Sequence, residues 1–303
     1  MKFDNRKLTG PGALFLLVLC LLSLATLLSV KGNHSYGVEL LVSEQKANYL
    51  SGVYQTSSRV GVSSYRKWWP ASTVKLWAAI GALKRVQAFG LSGSSRISMK
   101  AGWRGIYFCG SVRELVWNSL RHSDNLSFDL LVLIAGSDYL NTSARRWGLT
   151  HTWISRAYKL RSLRRSPVLW HGSRKLLSRR QSRLKSLSCP SNCSSLQDLQ
   201  VLLYQSLANL HQLPRKDYRH LLHSLRRGSR HWLSPVLKNR CRSYKIWGKD
   251  GYVPGRDFVF NVSFTCNSRT FFVAGHTRAR GNYKSRANRS IDRALRRYVL
   301  QSR

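Results

Sequence analysis

The sequence predicts an α/β fold of the α+β type, in which the two chain ends form one antiparallel sheet and an all-α lobe is inserted between them. Strand composition occurs near both ends of the chain, in residues 36–42, 48–60, 244–247, 257–265 and 269–274. Helical patterning dominates from residue 72 to about residue 225, and a last helix is predicted over residues 286–300. The chain has 303 residues, enough for one large domain or two closely packed lobes.

A basic segment and a long apolar run open the chain. Residues 1–11 carry Lys2, Arg6 and Lys7, whereas residues 12–30 contain no charged side chain. An apolar run of about 18 residues can cross a bilayer, and its basic flank stays on the cytoplasmic side. The sequence therefore predicts a signal anchor or transmembrane helix in the inner membrane over residues 12–30, with a cleaved signal sequence as the alternative.

The chain is strongly basic. Lys and Arg number 51 against 12 Asp and Glu, which gives a net charge of +39. Such a surface attracts nucleic acid, anionic lipid or an anionic envelope polymer, although a solvated basic face would have the same composition. No zinc-finger, RNA-recognition or homeodomain pattern accompanies the charge, so a nucleic-acid partner is not favoured. Residues 156–185 hold eleven of the basic residues and are interpreted as a basic insertion, either a polyanion-binding face or a poorly ordered loop.

The positions of the six cysteines are consistent with an oxidising compartment outside the cytoplasm. Cys20 lies within the apolar run and is interpreted as an apolar filler, whereas the other five would lie in an exported body where disulfides form. We expect two disulfides that leave Cys109 free, or alternatively five buried thiols. The expected pairs are Cys189 with Cys193 and Cys241 with Cys266. A zinc site is not favoured, because no second Cys or His pair stands at ligand spacing, and no cofactor or metal is expected.

Ser72 and Lys75 stand one helical turn apart at the start of a predicted helix. Residues three apart share a helix face, so the two side chains can meet in one pocket. An apolar pocket lowers the pKa of a lysine and lets its amine take the serine proton, which activates the serine as a nucleophile. The alternative is an ordinary core helix with Lys75 at its rim. Pro70 and the apolar residues at helical spacing after Lys75 favour the buried pair over the three other pairs with this spacing, which are Ser43/Lys46, Ser64/Lys67 and Ser182/Lys185.

Two further motifs follow later in the sequence, after Ser72 and Lys75. Ser-Asp-Asn at residues 123–125 precedes an apolar run, a position where these residue types are also typical of a helix N-cap. Lys-Asp-Gly at residues 249–251 follows a predicted strand, where Asp-Gly is also typical of a hairpin turn.

In this order, Ser-x-x-Lys, Ser-Asp-Asn and Lys-x-Gly resemble the motifs of the serine β-lactamase and penicillin-binding protein superfamily. The resemblance extends over residues 36–300 and is closest to the class A branch. It implies a catalytic domain of β-lactamase/transpeptidase-like fold from residue 35 to residue 303. The expected lobes are an α/β lobe of residues 35–66 and 236–303 and an α lobe of residues 67–235.

The resemblance implies catalytic roles for four residues. Ser72 would attack an amide or β-lactam carbonyl and become acylated. Lys75 would accept its proton, and Ser123 would pass a proton from Lys75 to the leaving nitrogen. Lys249 would place positive charge beside Ser123 and the substrate carboxylate.

The resemblance also implies binding roles. Asn125 would hold the substrate's side-chain amide, and Gly251 would let the backbone approach closely. The backbone N–H groups of Ser72 and Tyr252 would form the oxyanion hole. Asp250 departs from the family pattern, which carries Thr or Ser there to help bind the substrate carboxylate. A like charge would weaken binding of a β-lactam or D-Ala terminus unless a nearby arginine neutralises it.

A second departure concerns deacylation. Class A β-lactamases carry a glutamate between the second and third motifs that activates the deacylating water, and this chain has no glutamate after Glu114. The acids present there have a different sequence context and are Asp129, Asp138, Asp198 and Asp217.

The sequence therefore favours an exported serine hydrolase or acyltransferase of penicillin-binding, D,D-peptidase type. Its substrate would be a β-lactam or a D-alanyl stem peptide of peptidoglycan, in the bacterial periplasm or at the outer face of the cytoplasmic membrane. A β-lactamase with a substitute base, and a non-catalytic scaffold that binds an anionic envelope polymer, are the alternatives.

Overall fold

The computed structural model describes residues 38–46, 49–55, 69–101, 106–160, 163, 167–176, 191–228 and 232–298. The predicted anchor over residues 12–30 lies outside these ranges. None of the helices in the described part of the chain has the length and apolar character needed to cross a membrane.

Nine strands and eight α-helices are assigned within the described ranges. The strands are β1 (Val38–Lys46), β2 (Tyr49–Gln55), β3 (Arg96–Ala101), β4 (Ile106–Ser111), β5 (Val168–His171), β6 (Arg174–Leu176), β7 (Tyr244–Val253), β8 (Asp257–Cys266) and β9 (Arg269–Thr277). The helices are α1 (Lys75–Gln87), α2 (Val112–Arg121), α3 (Asn125–Ala135), α4 (Ser137–Arg146), α5 (Leu196–Leu207), α6 (Arg215–Gly228), α7 (Ser234–Lys238) and α8 (Tyr283–Tyr298).

The two ends of the chain meet in a five-stranded antiparallel sheet of order β2-β1-β9-β8-β7. β1 pairs with β9 through Leu41 opposite Ala274, so the N-terminal hairpin extends a sheet whose other strands come from the C-terminal part. One face of this sheet buries the aromatic residues of β8 against α8, whose Ile291 and Leu295 are buried. The predicted fold class is confirmed.

The inserted lobe is not wholly helical, which corrects the expectation of an all-α lobe. A second antiparallel sheet of order β4-β3-β5-β6 lies within it. The hairpin of β5 and β6 falls inside the basic stretch of residues 156–185, part of which is therefore regular structure. These strands are three to six residues long, too short for periodicity to distinguish them from loops.

Helix α1 is the centre of the inserted lobe. Its residues from Lys75 to Leu83 are all buried, and it packs against α2 and α3 in one apolar cluster. A helix that is apolar all round must be enclosed by other elements, and its first turn is then held rigidly between the lobe and the sheet. Ser72 lies immediately before this turn.

The cysteines follow the prediction where they are described. Cys241 and Cys266 form a disulfide with Cα atoms 5.1 Å apart. Cys109 is free and exposed. Cys193 is also disulfide-bonded, and its expected partner Cys189 lies outside the described residues.

His276 connects three neighbouring strands through two carboxylates. On β9, its Nε2 lies 3.0 Å from Asp257 Oδ1 of β8, and its Nδ1 lies 3.6 Å from Glu39 Oε2 of β1. Burial alone would lower the pKa of His276, but hydrogen bonds to Asp257 and Glu39 outweigh it and raise the pKa to about 9. The imidazolium therefore stabilises the folded state.

The contribution of His276 to stability should be lost as the pH rises. The pKa of His276 is higher in the folded than in the unfolded chain, so its contribution is complete below about pH 6.5 and disappears by about pH 9. We expect the stability that the wild type has over His276→Gln to shrink by up to about 3 kcal/mol across this window. The lowered pKa of Lys75 gives a slope of the opposite sign, but it acts on both proteins alike. Urea unfolding at several pH values measures this difference in stability. His171→Gln, in the other sheet, should retain the wild-type slope, and an unchanged slope in His276→Gln would contradict the assignment.

Candidate active site

A cavity of about 560 Å³ opens where the start of α1, the start of α3 and β7 meet. Most of the predicted site residues line it, namely Ser72, Ser123, Asn125, Lys249, Asp250, Gly251 and Tyr252. Lys75 lies beneath them with no exposed surface. Residues separated by up to 180 positions in the sequence are thus brought to one place.

Ser72 lies in one turn of 3₁₀ helix, Ala71–Val74, that leads directly into α1. Pro70 starts this turn, and its carbonyl accepts hydrogen bonds from the Thr73 N–H at 3.0 Å and the Thr73 hydroxyl at 2.5 Å. Ala71 has a left-handed backbone with φ of 47°. This sharp entry places Ser72 at the wall of the cavity and Lys75 one turn further into the core.

Lys75 is held by oxygen atoms from the second motif. Its Nζ donates to the Ser123 carbonyl at 2.5 Å and to Asn125 Oδ1 at 2.8 Å, and lies 3.3 Å from Ser123 Oγ. Burial, and next the positive charge of Lys249, lower the pKa of Lys75 to about 7. Near neutral pH a large fraction of the amine is therefore uncharged, as a proton acceptor requires.

The second motif serves as a helix cap and as part of the site. Asp124 is the N-cap of α3, and its carboxylate accepts a hydrogen bond from the Ser127 N–H at 2.6 Å. Ser123, just before the cap, has a left-handed backbone with φ of 57°. The residues on both sides of Asp124 contact Lys75, so this short segment both caps α3 and surrounds the Lys75 amine.

The third motif lies in the middle of β7, which excludes the hairpin-turn alternative. Lys249, Asp250 and Gly251 pair with successive residues of β8. Lys249 is 3% exposed, and its Nζ donates to the Asp250 carbonyl at 2.7 Å and lies 3.8 Å from Asp250 Oδ1. Burial lowers the pKa of Lys249, while the Asp250 carboxylate opposes that shift. Lys249 and Asp250 thus form an ion pair in the cavity wall.

Gly251 is required by the close packing of β7 on the 3₁₀ turn. A Cβ atom at this position would lie 2.4 Å from the Ser72 backbone nitrogen and 2.6 Å from Ala71 Cβ. The strand therefore passes directly beside the backbone N–H of Ser72. Tyr252 follows on β7 with its side chain half exposed and stacked on Tyr283 at 5.3 Å. This is the region where the oxyanion hole is predicted.

Tyr158 is a residue of the site that the sequence interpretation missed. Its ring lines the cavity and lies 5.8 Å from Lys75 Nζ. The Tyr158 hydroxyl donates to the Ala71 carbonyl at 2.5 Å and accepts from Trp69 Nε1 at 3.1 Å. Burial raises the pKa of Tyr158 to about 12, so the phenol stays protonated. Tyr158 lies in a segment without periodicity, and nothing in the sequence marks it.

Asp129 positions Tyr158 and is not free to act as a base. It is fully buried, and its carboxylate accepts three backbone N–H groups, from Tyr158 at 2.8 Å and from Lys159 and Leu160 at 2.7 Å. Of the described carboxylates, Asp250 alone lines the cavity. Asp198 and Asp217 are likewise occupied by hydrogen bonds elsewhere in the helical lobe.

The structure has a β-lactamase/transpeptidase-like fold that brings a serine, a buried lysine and a second serine to one site. Residues 39–295 match the sequence profile described as Beta-lactamase enzyme family. This match extends over most of the chain, and the chain belongs to that family. A search of curated protein sequences gave no match.

Solved structures share the fold at low sequence identity. PBP-A is 16% identical with a TM-score of 0.60, over 99% of this chain and 100% of that chain. A β-lactamase from Xanthomonas campestris pv. campestris is 16% identical with a TM-score of 0.60, over 95% of this chain and 98% of that chain. A mutant of PBP-A, solved as an acyl-enzyme complex with penicillin G, is 15% identical with a TM-score of 0.61, over 99% of this chain and 100% of that chain.

The pKa of Lys75 can be measured directly. We expect the side-chain ¹³Cε resonance of Lys75 to titrate with a midpoint near pH 7. Lys249→Gln removes a positive charge that disfavours the Lys75 ammonium, so the midpoint should move to higher pH. Lys245→Gln, exposed on the same strand, is the matched control and should leave the midpoint unchanged. A midpoint near the ordinary lysine value in the wild type would show that Lys75 is not the proton acceptor.

Proposed function

We propose that the chain is an exported serine hydrolase or acyltransferase of penicillin-binding, D,D-peptidase type. Ser72 forms an acyl-enzyme with a β-lactam or with a D-alanyl peptide of the cell wall. The observation that carries this proposal is the buried Lys75 amine, with a pKa of about 7, held against Ser123 one turn from Ser72. Such an amine supplies the base that an unactivated serine lacks.

Acylation follows from the placement of these groups. Ser72 Oγ bonds to the substrate carbonyl carbon while neutral Lys75 takes the hydroxyl proton. The backbone N–H groups of Ser72 and Tyr252 stabilise the oxyanion that develops on the carbonyl oxygen. When the carbon–nitrogen bond breaks, Ser123 gives its proton to the leaving nitrogen and regains one from Lys75. The product is an ester on Ser72.

Substrate binding uses the cavity groups that take no part in acylation, namely Asn125, Lys249 and Asp250. Asn125 engages Lys75 through Oδ1, so its Nδ2 is the atom that can donate to an amide carbonyl of the substrate. Lys249 and Asp250 form a nearly neutral pair in the cavity wall. A substrate carboxylate therefore gains less from Lys249 than it would from an unpaired lysine.

Deacylation by water is the slow step of this proposal. Removing a general base typically slows a reaction by about 10²- to 10⁴-fold. Asp129, Asp198 and Asp217 are engaged in hydrogen bonds elsewhere. Tyr158 places a protonated phenol and an aromatic ring beside Lys75. These features favour a long-lived ester over efficient β-lactam hydrolysis. The acyl-enzyme complex of a PBP-A mutant with penicillin G, a protein of the same fold, supports an ester on Ser72.

We place the domain in the periplasm or at the outer face of the cytoplasmic membrane of a bacterium. The basic segment and apolar run of residues 1–30 support export. The Cys241–Cys266 disulfide supports an oxidising compartment, since such bonds persist mainly in exported proteins.

Covalent labelling by benzylpenicillin tests the nucleophile. We expect intact-mass spectrometry of the chain from residue 31 onward to detect a one-to-one adduct that persists for hours. The site has the groups needed to acylate Ser72, but the described residues include no carboxylate placed to activate water for hydrolysis of the ester. Ser72→Ala should abolish the adduct. Ser64→Ala, at another Ser-x-x-Lys position, is the matched control and should label normally. An adduct that survives Ser72→Ala would overturn the assignment, and one that clears while the drug is consumed would establish a β-lactamase instead.

The lifetime of the adduct should depend on the ring of Tyr158. Tyr158→Ala opens space for water beside the ester, and we expect it to shorten the lifetime by about tenfold, or about 1.4 kcal/mol of barrier. Tyr158→Phe retains the ring and should retain a long-lived adduct. Time-resolved mass spectrometry after removal of free penicillin measures both, with circular dichroism as the check on folding. Equal lifetimes in folded Tyr158→Ala and wild-type protein would show that the ring does not protect the ester.

A further inference from the structure

The rim of the cavity carries positive charge that the proposed chemistry does not use. Arg121 at the end of α2, Arg156 in the segment after α4 and Lys284 at the start of α8 all line the cavity. Three separate elements thus direct a cation to the same opening. Lys249 and Asp250, the other charged lining residues, pair with each other at 3.8 Å.

These three cations are not neutralised by the described part of the protein. Among the described residues, none of the three forms an ion pair with a carboxylate. The Arg121 guanidinium lies 4.9 Å from the centre of the Trp117 ring. Lys284 Nζ lies 5.9 Å from the centre of the Tyr283 ring. Aromatic faces hold cations in place without cancelling their charge, so the opening retains a positive potential.

Trp69 fixes the position of one of these cations. The indole lines the cavity, and the Arg156 guanidinium lies 5.3 Å from its centre. Arg256 lies 5.2 Å from the same ring but is paired with Asp257 at 3.0 Å. The indole is itself held by its hydrogen bond to Tyr158. Arg156 is therefore held at the rim with its charge uncompensated.

We propose that the acyl donor carries a second negative charge, in addition to the carboxylate expected beside Lys249, and that Arg121, Arg156 and Lys284 recognise it. The ligand class is an anionic acyl donor, such as a peptide or β-lactam with a free carboxylate on its side chain. This inference rests on the proposed acylation of Ser72.

The physical argument concerns the sign of the potential in a confined opening. A cavity lined by one sign of charge concentrates ligands of the opposite sign and raises their rate of association. A neutral side chain would gain nothing from this rim, and a cationic one would be repelled. Because the rim is open to solvent, the preference should weaken as salt screens the charges.

A matched pair of penicillins tests the inference. Carbenicillin differs from benzylpenicillin by one carboxylate on the side chain. We expect carbenicillin to acylate Ser72 about tenfold faster per unit concentration at low ionic strength, as one favourable charge contact of about 1.4 kcal/mol gives. The ratio of the two rates should approach unity near 1 M salt, where the screening length is about 3 Å. Intact-mass spectrometry at early times measures the rates.

Variants of the rim identify the residues responsible. Arg156→Gln and Lys284→Gln should each lower the carbenicillin-to-benzylpenicillin ratio, because carbenicillin carries one negative charge more than benzylpenicillin. Arg289→Gln is the matched control, because Arg289 is exposed on the same helix as Lys284 and lies outside the cavity lining. It should leave the ratio unchanged.

The outcomes separate this inference from the function on which it rests. Equal acylation by both penicillins at low salt would overturn the anionic preference and leave the serine hydrolase intact. If carbenicillin is preferred but neither the rim variants nor salt change that preference, other residues are responsible. This result would overturn the role of the rim. Absence of any Ser72 adduct with either drug would overturn the proposed function and this inference with it.

Discussion

The burial of the Lys75 amine is the constraint on which the rest of the site depends. Its three nearest partners are oxygen atoms of Ser123 and Asn125, and the carboxylates of Asp124 and Asp129 act on it only from a distance. An ammonium in this position lacks the close counter-ion that would repay its desolvation, so the neutral amine is favoured. The apolar surroundings of α1, the left-handed backbone at Ser123 and the cap of α3 all serve to keep this arrangement in place.

The two lobes contribute different parts of the chemistry. The helical lobe carries Ser72, Lys75 and Ser123, whereas the sheet carries Lys249, Asp250 and the strand that passes Ser72. Their junction is tight at Gly251, where there is no room for a side chain. The position of the predicted oxyanion hole therefore depends on how closely β7 packs against the 3₁₀ turn. A shift of the strand would separate the two N–H groups without altering any catalytic side chain.

The sequence predicted the architecture better than it predicted the surroundings of Lys75. The end strands, the helical character of residues 72 to about 225 and the free Cys109 were marked by periodicity or cysteine spacing. The second sheet was missed, because strands such as Arg174–Leu176 are too short to show a period. Tyr158 was missed for a different reason, because its position depends on backbone bonds to Asp129, 29 residues earlier, and not on local pattern. A sequence does not tell where the Asp129 carboxylate points. Its structural role could therefore not be distinguished from a catalytic role.

The way in which Asp129 holds its loop affects how this protein can evolve. The carboxylate binds main-chain N–H groups at residues 158, 159 and 160, so the loop keeps its path whichever side chains it carries. Substitutions at these positions are therefore tolerated more readily than in a loop anchored by its own side chains. A substitution at residue 158 would change the side chain beside Lys75 and leave the main-chain support from Asp129 in place.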